Sequence, residues 1–424
     1  MFQPILFDPE ELFKEPMEKY QRFFSLLDLS SLDNIFQTGR RPISHAAITK
    51  ALIFKNLRSL LTLSDLTVEL YERPKLSYIL GFPTRTEPIP VERFSVFLRT
   101  IDNAILQQIR ETLVLHLIKR KVISGKYLSV DACPIKANVK NNNLKTHVHN
   151  RFSKDHPPHS DPDARLSVFS TFPDRKKKIE FFWGYRNHLI NDTVSELPIV
   201  ECTLPANVYE TNVIIPQLII VKEHYRFHPK AVMADSEYDS ATIIDFILNT
   251  LHAKPRIARN LRRDSGSQPT LSFSGAPVCI AGFEMISRGI YWDPRQNRMR
   301  HKFYCPIRAS KKFAALHPDC PWSHPQFEKG SGCYKNIRVD RDIRHLIDYD
   351  SQSFKKDFNR RSSSERIFSR LLAISMQEPS VKGLRATANL CTISHITVLA
   401  VALFASFVNE PKRIRFIKSF IPNL

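Results

Sequence analysis

GKYLSVDA, residues 125–132, is a short apolar strand-like run that ends on a carboxylate, Asp131. KAVMADSEYDS, residues 230–240, repeats the pattern, with Asp235 after four apolar residues. A carboxylate at the end of a buried strand is costly unless it binds something. Two of them on separate strands predict a divalent-metal site for phosphate chemistry, because Mg²⁺ prefers carboxylates plus substrate phosphates as ligands. For either aspartate alone, capping of a turn or of the following helix is the alternative interpretation.

The segments around these two aspartates predict an α/β core. Two further strand-like runs follow Asp131, IEFFWGYRNHLIND and PIVECTLPAN. A helix (TNVIIPQLIIVKEHY), the strand before Asp235, a second helix (ATIIDFILNTL) and the strand KPRIARN come next. Residues 138–178 are polar and predict an irregular segment, and Pro216 is expected near the first turn of its helix. This order is neither all-α nor a plain βαβ repeat.

The flanking regions predict three further parts. Apolar residues at helical spacing predict helices over 1–125, with Ser64 and Asp65 as the N-cap of a helix that ends at Gly81. Residues 264–345 contain Ser/Gly-rich turns and four of the seven cysteines, which indicates a small β-rich insertion. The predicted division is a helical N-terminal domain (1–125), a core (126–263), the insertion (264–345) and closing helices of the core (346–424).

A third acidic residue is expected in NRRSSSERIFSRLL, residues 359–372. Ser362–Ser364 offer an N-cap, and Glu365 lies in the first turn of the predicted helix. The alternative for Glu365 is an acid favoured by the helix dipole, worth about 0.3–1 kcal/mol. On the functional interpretation Glu365 completes the metal site, and Arg361 and Arg366 provide positive charge for phosphates.

The charge of the chain indicates an acidic partner. Its 424 residues include 62 Lys+Arg and 42 Asp+Glu, a net charge of +20, and nucleic acid is the commonest partner for such a chain. None of the 11 glycines falls in a G-x-G-x-x-G or P-loop pattern, which speaks against kinases, common ATPases and dinucleotide enzymes.

The sequence also predicts a cytoplasmic protein. The N-terminal segment MFQPILFDPEELFKEP lacks the pattern of an export signal, and seven cysteines are an odd number for a disulfide framework. The apolar stretch from Ala388 to Val408 has the length of a membrane span. Polar residues interrupt that stretch, which favours a buried core helix instead: Asn389, Ser394 and His395.

Taken together, these pieces resemble a bacterial insertion-sequence transposase of the DDE type, in the group whose glutamate lies in a Tyr-x2-Arg-x3-Glu-x6-Lys signature. The matching core segments, in family order, are SVDACPIKANVKNNNLK, GYRNHLI, TLPANVYETN, ADSEYDS and SSSERIFSRLL. The N-terminal segments GRRPISHAAITKALIFKNL, LSDLTVELYERPKLSYILGF and ERFSVFLRTI resemble the helical domain that precedes this core.

The resemblance implies an RNase H-like mixed-sheet catalytic core that holds Asp131, Asp235 and Glu365 around Mg²⁺ or Mn²⁺. It implies an all-helical N-terminal DNA-binding domain and a small β-rich insertion. The implied activity is metal-dependent cleavage at the ends of an insertion sequence, followed by strand transfer by the 3′-hydroxyl. The implied partners are double-stranded DNA, as terminal inverted repeats and target, and further copies of the chain, in the bacterial cytoplasm at the nucleoid and with no membrane. Two alternatives remain: an inactive DNA-binding descendant, and an RNase H-like nuclease without transposition.

Two positions depart from the signature. Arg361 and Glu365 match it, whereas Phe358 stands where the family has Tyr and Leu372 where it has Lys. Arg370 is displaced from the lysine position by two residues, about 200° around a helix axis. We therefore expect that Arg370 does not replace the missing lysine.

Other polar residues are candidates for holding the DNA strand or a second metal. The DNA candidates are Lys136, Asn138, Lys140, Arg186 and His188, for which a solvated polar segment is the alternative. The set Cys305, Cys320, His324 and Cys333 contains enough soft ligands for a structural Zn²⁺. It has no C-x2-C pair, and free buried cysteines are the alternative.

Overall fold

A computed structural model describes residues 19–32, 43–83, 87–140, 150–171, 178–260, 271–272, 276–295, 298–322, 325–338, 347, 349, 351–377 and 379–417. The chain divides into two compact units. The first unit comprises Met1–Pro229 and Arg360–Leu424, and the second comprises Lys230–Asn359. Both helices and strands are present in the described residues, so the chain is of the mixed α/β class. The four-part division stays a prediction.

In the described residues a run of helices precedes the first strand, strands and helices are then interspersed, and further helices follow the last strand. In chain order the helices are α1 (His45–Leu57), α2 (Leu63–Glu72), α3 (Pro74–Ile79), α4 (Val91–Thr100), α5 (Asn103–Lys119), α6 (Glu210–Glu223), α7 (Ala241–Asp245), α8 (Pro306–Ala309), α9 (Lys311–Leu316), α10 (Pro325–Glu328), α11 (Gln352–Phe358), α12 (Ser362–Leu371) and α13 (Leu384–Phe407). The strands are β1 (Tyr127–Lys136), β2 (Arg165–Thr171), β3 (Lys178–Asp192), β4 (Leu197–Pro205), β5 (Ala231–Ala234), β6 (Lys254–Ile257), β7 (Ile286–Asp293), β8 (Arg298–Tyr304) and β9 (Tyr334–Arg338).

The helix predicted after Ser64 begins two residues earlier and is divided in two. Thr62 is the N-cap: its hydroxyl accepts from the Asp65 N–H, and the Asp65 carboxylate accepts from the Thr62 N–H. α2 ends at Glu72 and α3 starts at Pro74. Proline fits the first position of a helix but removes a hydrogen bond from its interior, so the chain restarts there.

The sheet of the first unit is antiparallel and is organised around β3. Residues 184–192 of β3 pair with β1 on one side and with β4 on the other. The earlier part of β3 extends beyond β1 and pairs with β2. A Cβ on Gly184 would collide with the carbonyl oxygen of Ile135, so glycine permits the close approach of β1 and β3 here. The segment 138–178, predicted to be irregular, thus contains a strand.

α13 lies in the core of the first unit. Its length and composition would be sufficient to cross a membrane, and 89% of its most apolar window is buried within the protein. It packs against α1, α4, α5 and β4. The prediction of a buried core helix is confirmed. Pro216 differs from its prediction, since it is the seventh residue of α6 and not in the first turn.

A buried polar network joins α5, the sheet and α13. The Glu201 carboxylate, fully buried, accepts hydrogen bonds from Gln107 Nε2 at 2.5 Å, Asn187 Nδ2 at 2.7 Å and Thr392 Oγ1 at 2.7 Å. His395 Nε2 lies 3.0 Å from Asn187 Oδ1, and burial lowers the pKa of His395 to about 4. A neutral imidazole can donate this bond, and the buried Glu201 carboxylate is compensated by several donors. The buried Arg110 guanidinium belongs to the same network, since its Nε donates to Gln107 Oε1 at 2.6 Å.

The second unit contains two separate groups of strands. β5 and β6 are parallel, with Ala231 opposite Lys254, and α7 continues as a π-helical segment over Phe246–Thr250. Arg256 on β6 donates to the Asp357 carboxylate of α11 at 3.1 Å. β7, β8 and β9 form an antiparallel sheet within the predicted insertion.

Lys55 in α1 provides a test of the packing of the first unit. Its side chain is 2% exposed, its Nζ donates to Ser375 Oγ at 3.3 Å, and burial lowers its pKa to about 8. The charged form is therefore costly in the folded state. We expect Lys55→Met to raise the free energy of unfolding at pH 7 by about 1–3 kcal/mol.

The sign of the pH dependence follows from the lowered pKa. Between pH 8 and the unfolded-state pKa near 10.4 the unfolded chain binds more protons, so wild-type stability rises with pH relative to Lys55→Met. The excess in the free energy of unfolding of Lys55→Met over wild type should be largest below pH 8 and should disappear above about pH 10.4. Urea unfolding of both proteins across this range measures it, with Lys50→Met on the same helix, half-buried, as the control. A difference independent of pH would contradict the assignment.

Candidate active site

Asp131 lies in β1, which pairs with the central strand β3 of the first unit's sheet. It is opposite Leu189 of β3, and its side chain is 19% exposed. Its Oδ1 accepts a hydrogen bond from the Ala132 N–H at 2.9 Å. Because strand side chains alternate between the two faces, Ser129 points to the same face as Asp131. This face of β1 is the one to which α12 is bonded.

Buried hydroxyl and amide groups connect the start of α12 to the sheet. Ser364 Oγ donates to Ser129 Oγ at 2.7 Å and is 2.8 Å from Asn191 Oδ1. Asn191 Nδ2 donates to Ser363 Oγ at 2.9 Å. Ser363, Ser364, Ser129 and Asn191 are all fully buried. These contacts set the position of α12 against β1 and β3, and with it the position of the next residue, Glu365.

The serines therefore have a different role from the N-cap predicted for them. The residue at the N-cap position is Arg361, which has helical dihedral angles and makes no side-chain cap bond. A short helical turn, Asn359–Arg361, leads directly into α12, so the chain is already helical before Ser362. The hydroxyls of Ser363 and Ser364 are consequently available for the sheet. The sequence signal that could have indicated this is the position of Ser129, two residues before Asp131.

Arg361 lies between two of the predicted catalytic acids. Its Nη2 is 2.7 Å from Glu365 Oε1, and its Nη1 is 3.9 Å from Asp131 Oδ2. The Arg361 side chain is 26% exposed and the Glu365 side chain 58% exposed. One guanidinium thus compensates two carboxylates contributed by a strand and a helix. Asp131 and Glu365 thus both approach one positive charge in the first unit.

The donor chemistry of this pair fits a hard divalent cation. Both groups supply carboxylate oxygens, the ligand type preferred by Mg²⁺, and both are accessible to solvent. The position of Arg361 shows that the arrangement attracts positive charge. Across the residues that the structure describes, no three Asp, Glu, His or Cys side chains lie together as a ready ligand set.

Asp235 lies in the second unit, directly after β5. It is the N-cap of a short helical turn, Ser236–Tyr238, and its Oδ1 accepts from the Glu237 N–H at 2.8 Å. The capping interpretation is therefore observed for one of its oxygens. Capping does not prevent a second role, because a carboxylate has two oxygens and about four acceptor positions.

The predicted DNA-binding residues fall into an exposed and an internal group. Lys136, Asn138 and Lys140 are exposed at the end of β1 and just beyond it. Arg186 forms an ion pair with Glu210, and its Nη2 also donates to Ser167 Oγ and to a backbone carbonyl oxygen. The exposed group is therefore accessible to a DNA backbone, while the guanidinium of Arg186 has partners inside the protein.

His188 is buried, with 2% of its surface exposed. Burial lowers its pKa to about 4, with the neighbouring Arg186 charge acting in the same direction. The imidazole is consequently neutral at physiological pH and away from solvent. In this position the imidazole of His188 does not reach the surface at which DNA could bind.

The arginines that follow Glu365 on α12 are bonded to one buried acid. Glu196, at the turn between β3 and β4 and 8% exposed, accepts from Arg366 Nε at 2.8 Å and Arg370 Nη2 at 3.3 Å, and pairs with Arg415. Arg366 is still 52% exposed, whereas Arg370 is 18% exposed. Arg370 is thus occupied in the structure of the first unit.

The two departures from the signature are also accounted for by packing. Phe358, at the end of α11 in the second unit, stacks on Phe354 with ring centroids 5.8 Å apart. Leu372 begins the π-helical segment Leu372–Met376 after α12 and is half-buried. Neither residue has a group that could hold a phosphate.

Residues 7–103 match the family described as "Transposase domain (DUF772)". The N-terminal part of the chain is therefore similar to a transposase domain, and most of the chain lies outside the match. No curated protein matches this chain. Among solved structures it is similar to a piggyBac transposase in a synaptic complex with hairpin DNA, at 12% identity and a TM-score of 0.40, over 98% of this chain and 77% of that one.

Proposed function

We propose that this protein is a DDE transposase of the insertion-sequence type. It cleaves DNA at the ends of its element and joins the freed 3′-hydroxyl to target DNA, with Asp131, Asp235 and Glu365 as the catalytic acids. The transposase domain match over residues 7–103 supports the reaction class. The single observation that carries the site assignment is the convergence of Asp131 and Glu365 on the Arg361 guanidinium.

The strand pattern supports an RNase H-like core for this function. The antiparallel arrangement of β1, β3 and β4 in the first unit and the parallel pair β5 and β6 in the second agree with the predicted order of strands and helices. Asp131 lies within β1 and Asp235 directly follows β5.

The residues have separate tasks in the proposed reaction. Asp131, Asp235 and Glu365 hold Mg²⁺ or Mn²⁺, and the ions, when bound, supply the charge for activating a water or 3′-hydroxyl and for stabilising the leaving oxygen. Arg361 balances the carboxylates of Asp131 and Glu365 and can turn toward a phosphate when a cation replaces it.

The DNA backbone is held by exposed positive charge. Lys136, Asn138 and Lys140 beyond β1 contact phosphates of the strand that is cut, and Arg366 adds charge beside Glu365. The helical N-terminal domain binds the terminal inverted repeats. Two or more copies of the chain act together on the element ends, in the bacterial cytoplasm.

Salt dependence tests whether the net charge of +20 serves DNA binding. We expect the affinity for an inverted-repeat duplex to fall steeply with salt, with log K against log[salt] sloping by about −0.9 for each phosphate neutralised. Lys136→Gln combined with Lys140→Gln should reduce the slope by about 2. The matched control is Lys222→Gln on α6, where Lys222 pairs with Glu223. Affinity independent of salt would remove DNA as the partner.

Cleavage of a duplex carrying the inverted repeats that flank the gene tests the catalytic part of the proposal. We expect Mg²⁺-dependent nicks at the element boundary and joining of the freed 3′ ends to a second duplex. Cleavage without joining at any metal concentration would favour the nuclease alternative. Binding of the ends with no cleavage by the unmutated chain would favour an inactive descendant.

A further inference from the structure

Four cysteines of the second unit line one cavity. The cavity has a volume of about 370 Å³ and is bounded by Cys279, Cys305, Cys320 and Cys333 together with Phe283, Trp322 and Tyr334. The cysteines come from four separate segments: a turn before β7, the end of β8, the chain after α9, and the residue before β9. Thiols from distant parts of the chain thus face a common space.

The backbone at Gly332 permits a close approach between the segments that contain Cys305 and Cys333. Gly332 has a φ of +67°, and a Cβ on it would lie 2.9 Å from the Cβ of Cys305 and 3.0 Å from Arg308 Cγ. The Cys305 N–H donates to the Cys333 carbonyl oxygen at 2.8 Å, and both residues line the cavity. Only glycine permits this approach, because other residues adopt such a φ at a cost and would clash.

Cys279 is presented by a tight turn of a similar kind. Its N–H donates to the Phe283 carbonyl oxygen at 2.9 Å, and the Gly282 N–H donates to the Cys279 carbonyl oxygen at 3.0 Å. Gly282 has a φ of +82°, which closes the turn without strain.

Packing alone does not account for these cysteines. A free cysteine that acts as a small apolar residue is among the most buried residues. Only Cys305 of the four is buried, whereas Cys279, Cys320 and Cys333 are half-buried at the wall of the cavity. Three half-buried cysteines at the wall of one cavity are instead accessible to a ligand that enters it.

The sheet beside the cavity also has little core of its own. Along β7 the interior positions are all exposed, including Ile290 at 53% and Trp292 at 52%. Small β units with too little apolar burial are usually stabilised by disulfides or a structural metal. A covalent or metal link at the base of β8 and β9 would supply that stabilisation.

We propose that Cys279, Cys305, Cys320 and Cys333 form a structural zinc site that stabilises the β7–β9 sheet. Four thiolates bind Zn²⁺ tetrahedrally with Zn–S distances of about 2.3 Å, and such closed sites contribute directly to folding. Soft thiolate ligands favour Zn²⁺ over the hard cations expected at the carboxylates. No three of these thiols stand at ligand spacing in the described residues, so the proposal requires that the thiols move toward one another when zinc binds.

This ligand set differs from the one the sequence indicated. Cys305, Cys320 and Cys333 are retained, and Cys279 takes the place of His324, which lies outside the described residues. Each ligand must lose its proton, so zinc binding releases protons and weakens at low pH. The site is distinct from the carboxylates of the proposed active site and does not depend on that assignment.

The test uses the full chain purified without chelator. We expect about one zinc ion per chain, and after removal and Co²⁺ addition the visible absorption bands of tetrahedral thiolate-bound cobalt. In the wild-type protein, zinc should protect four cysteines from alkylation, as mapped by mass spectrometry: Cys279, Cys305, Cys320 and Cys333. Cys202 in the first unit, half-buried, should show the same reactivity with and without zinc.

Variants identify the ligands independently. Cys279→Ser and Cys320→Ser should each lower the zinc content per chain severalfold and abolish the cobalt bands, while Cys202→Ser should retain both. Zinc retained by both ligand variants would overturn the proposal, as would a wild-type chain with free thiols that binds neither Zn²⁺ nor Co²⁺. A disulfide between Cys305 and Cys333 in the protein purified under reducing conditions would also overturn it. If a variant does not fold, the alkylation map of the wild-type protein decides.

Discussion

Asp131→Asn, Asp235→Asn and Glu365→Gln should each reduce Mg²⁺-dependent cleavage by on the order of 10³-fold or more while leaving binding of the element ends nearly unchanged. The reason is that these residues hold the metal ions, whereas affinity for the duplex comes from Lys and Arg contacts to phosphates. The effects should not add, because groups that act as one unit are strongly non-additive. Single-turnover cleavage of a labelled inverted-repeat duplex, with binding measured in parallel, provides both quantities.

The matched control is Glu223→Gln, an exposed acid of α6 whose side chain pairs with Lys222. It should cleave at the wild-type rate. Asp235 is the most informative of the three acids, because its Oδ1 already caps a turn and a purely structural role would give a variant of lowered stability that still cleaves. Near-normal cleavage by any one of the three would remove that residue from the site.

Arg361→Ala should slow cleavage by about 10²-fold, far more than Arg370→Ala. Arg361 is bonded to Glu365 and lies 3.9 Å from Asp131, so its removal takes away a positive charge that lies beside both carboxylates and is available to a phosphate. Arg370 is bonded to the Glu196 carboxylate and carbonyl, and its side chain is 18% exposed. Its loss should lower the free energy of unfolding by about 1–2 kcal/mol with little change in cleavage.

Single-turnover rates and urea unfolding of both variants separate the two roles. Arg361→Lys serves as the conservative control, since it keeps the charge but loses the planar fork that spans two carboxylates, and it should fall between wild type and Arg361→Ala. Equal losses of rate in the two alanine variants, or a larger loss in Arg370→Ala, would reject this account of α12.

Local patterns in the sequence were sufficient for most of the elements that carry the site. Alternating and continuous apolar runs identified β1, β3, β4, β5 and β6, and the spacing of apolar residues identified α12 and α13. The two aspartates at strand-like runs and the first-turn Glu365 could be selected for the same reason, because strand and helix periodicity place a residue on an element without any long-range information.

Long-range pairing decided what local patterns could not. The sequence of β2 is too polar to indicate a strand, so β2 was not predicted. In the structure β2 pairs with the first part of β3, which extends past β1. Arg186 and His188 look like surface residues in GYRNH, yet the strands and helices packed on β3 bury the histidine and supply Glu210 to the arginine. Burial depends on neighbours that are remote in the chain.

The sequence by itself therefore determined the mixed α/β class and the positive charge, and it supplied Asp131, Asp235 and Glu365 as candidate acids. Tertiary structure decided that Ser363 and Ser364 bond to β1 and β3 instead of capping α12, and that Arg361 lies between Asp131 and Glu365. It also decided which cysteines share a cavity: Cys279 and Cys333 line the same cavity although they lie 54 positions apart in the sequence. The physical reason is that helix and strand periodicity acts over a few residues, whereas hydrogen-bond partners and cavity walls are set by how distant segments pack.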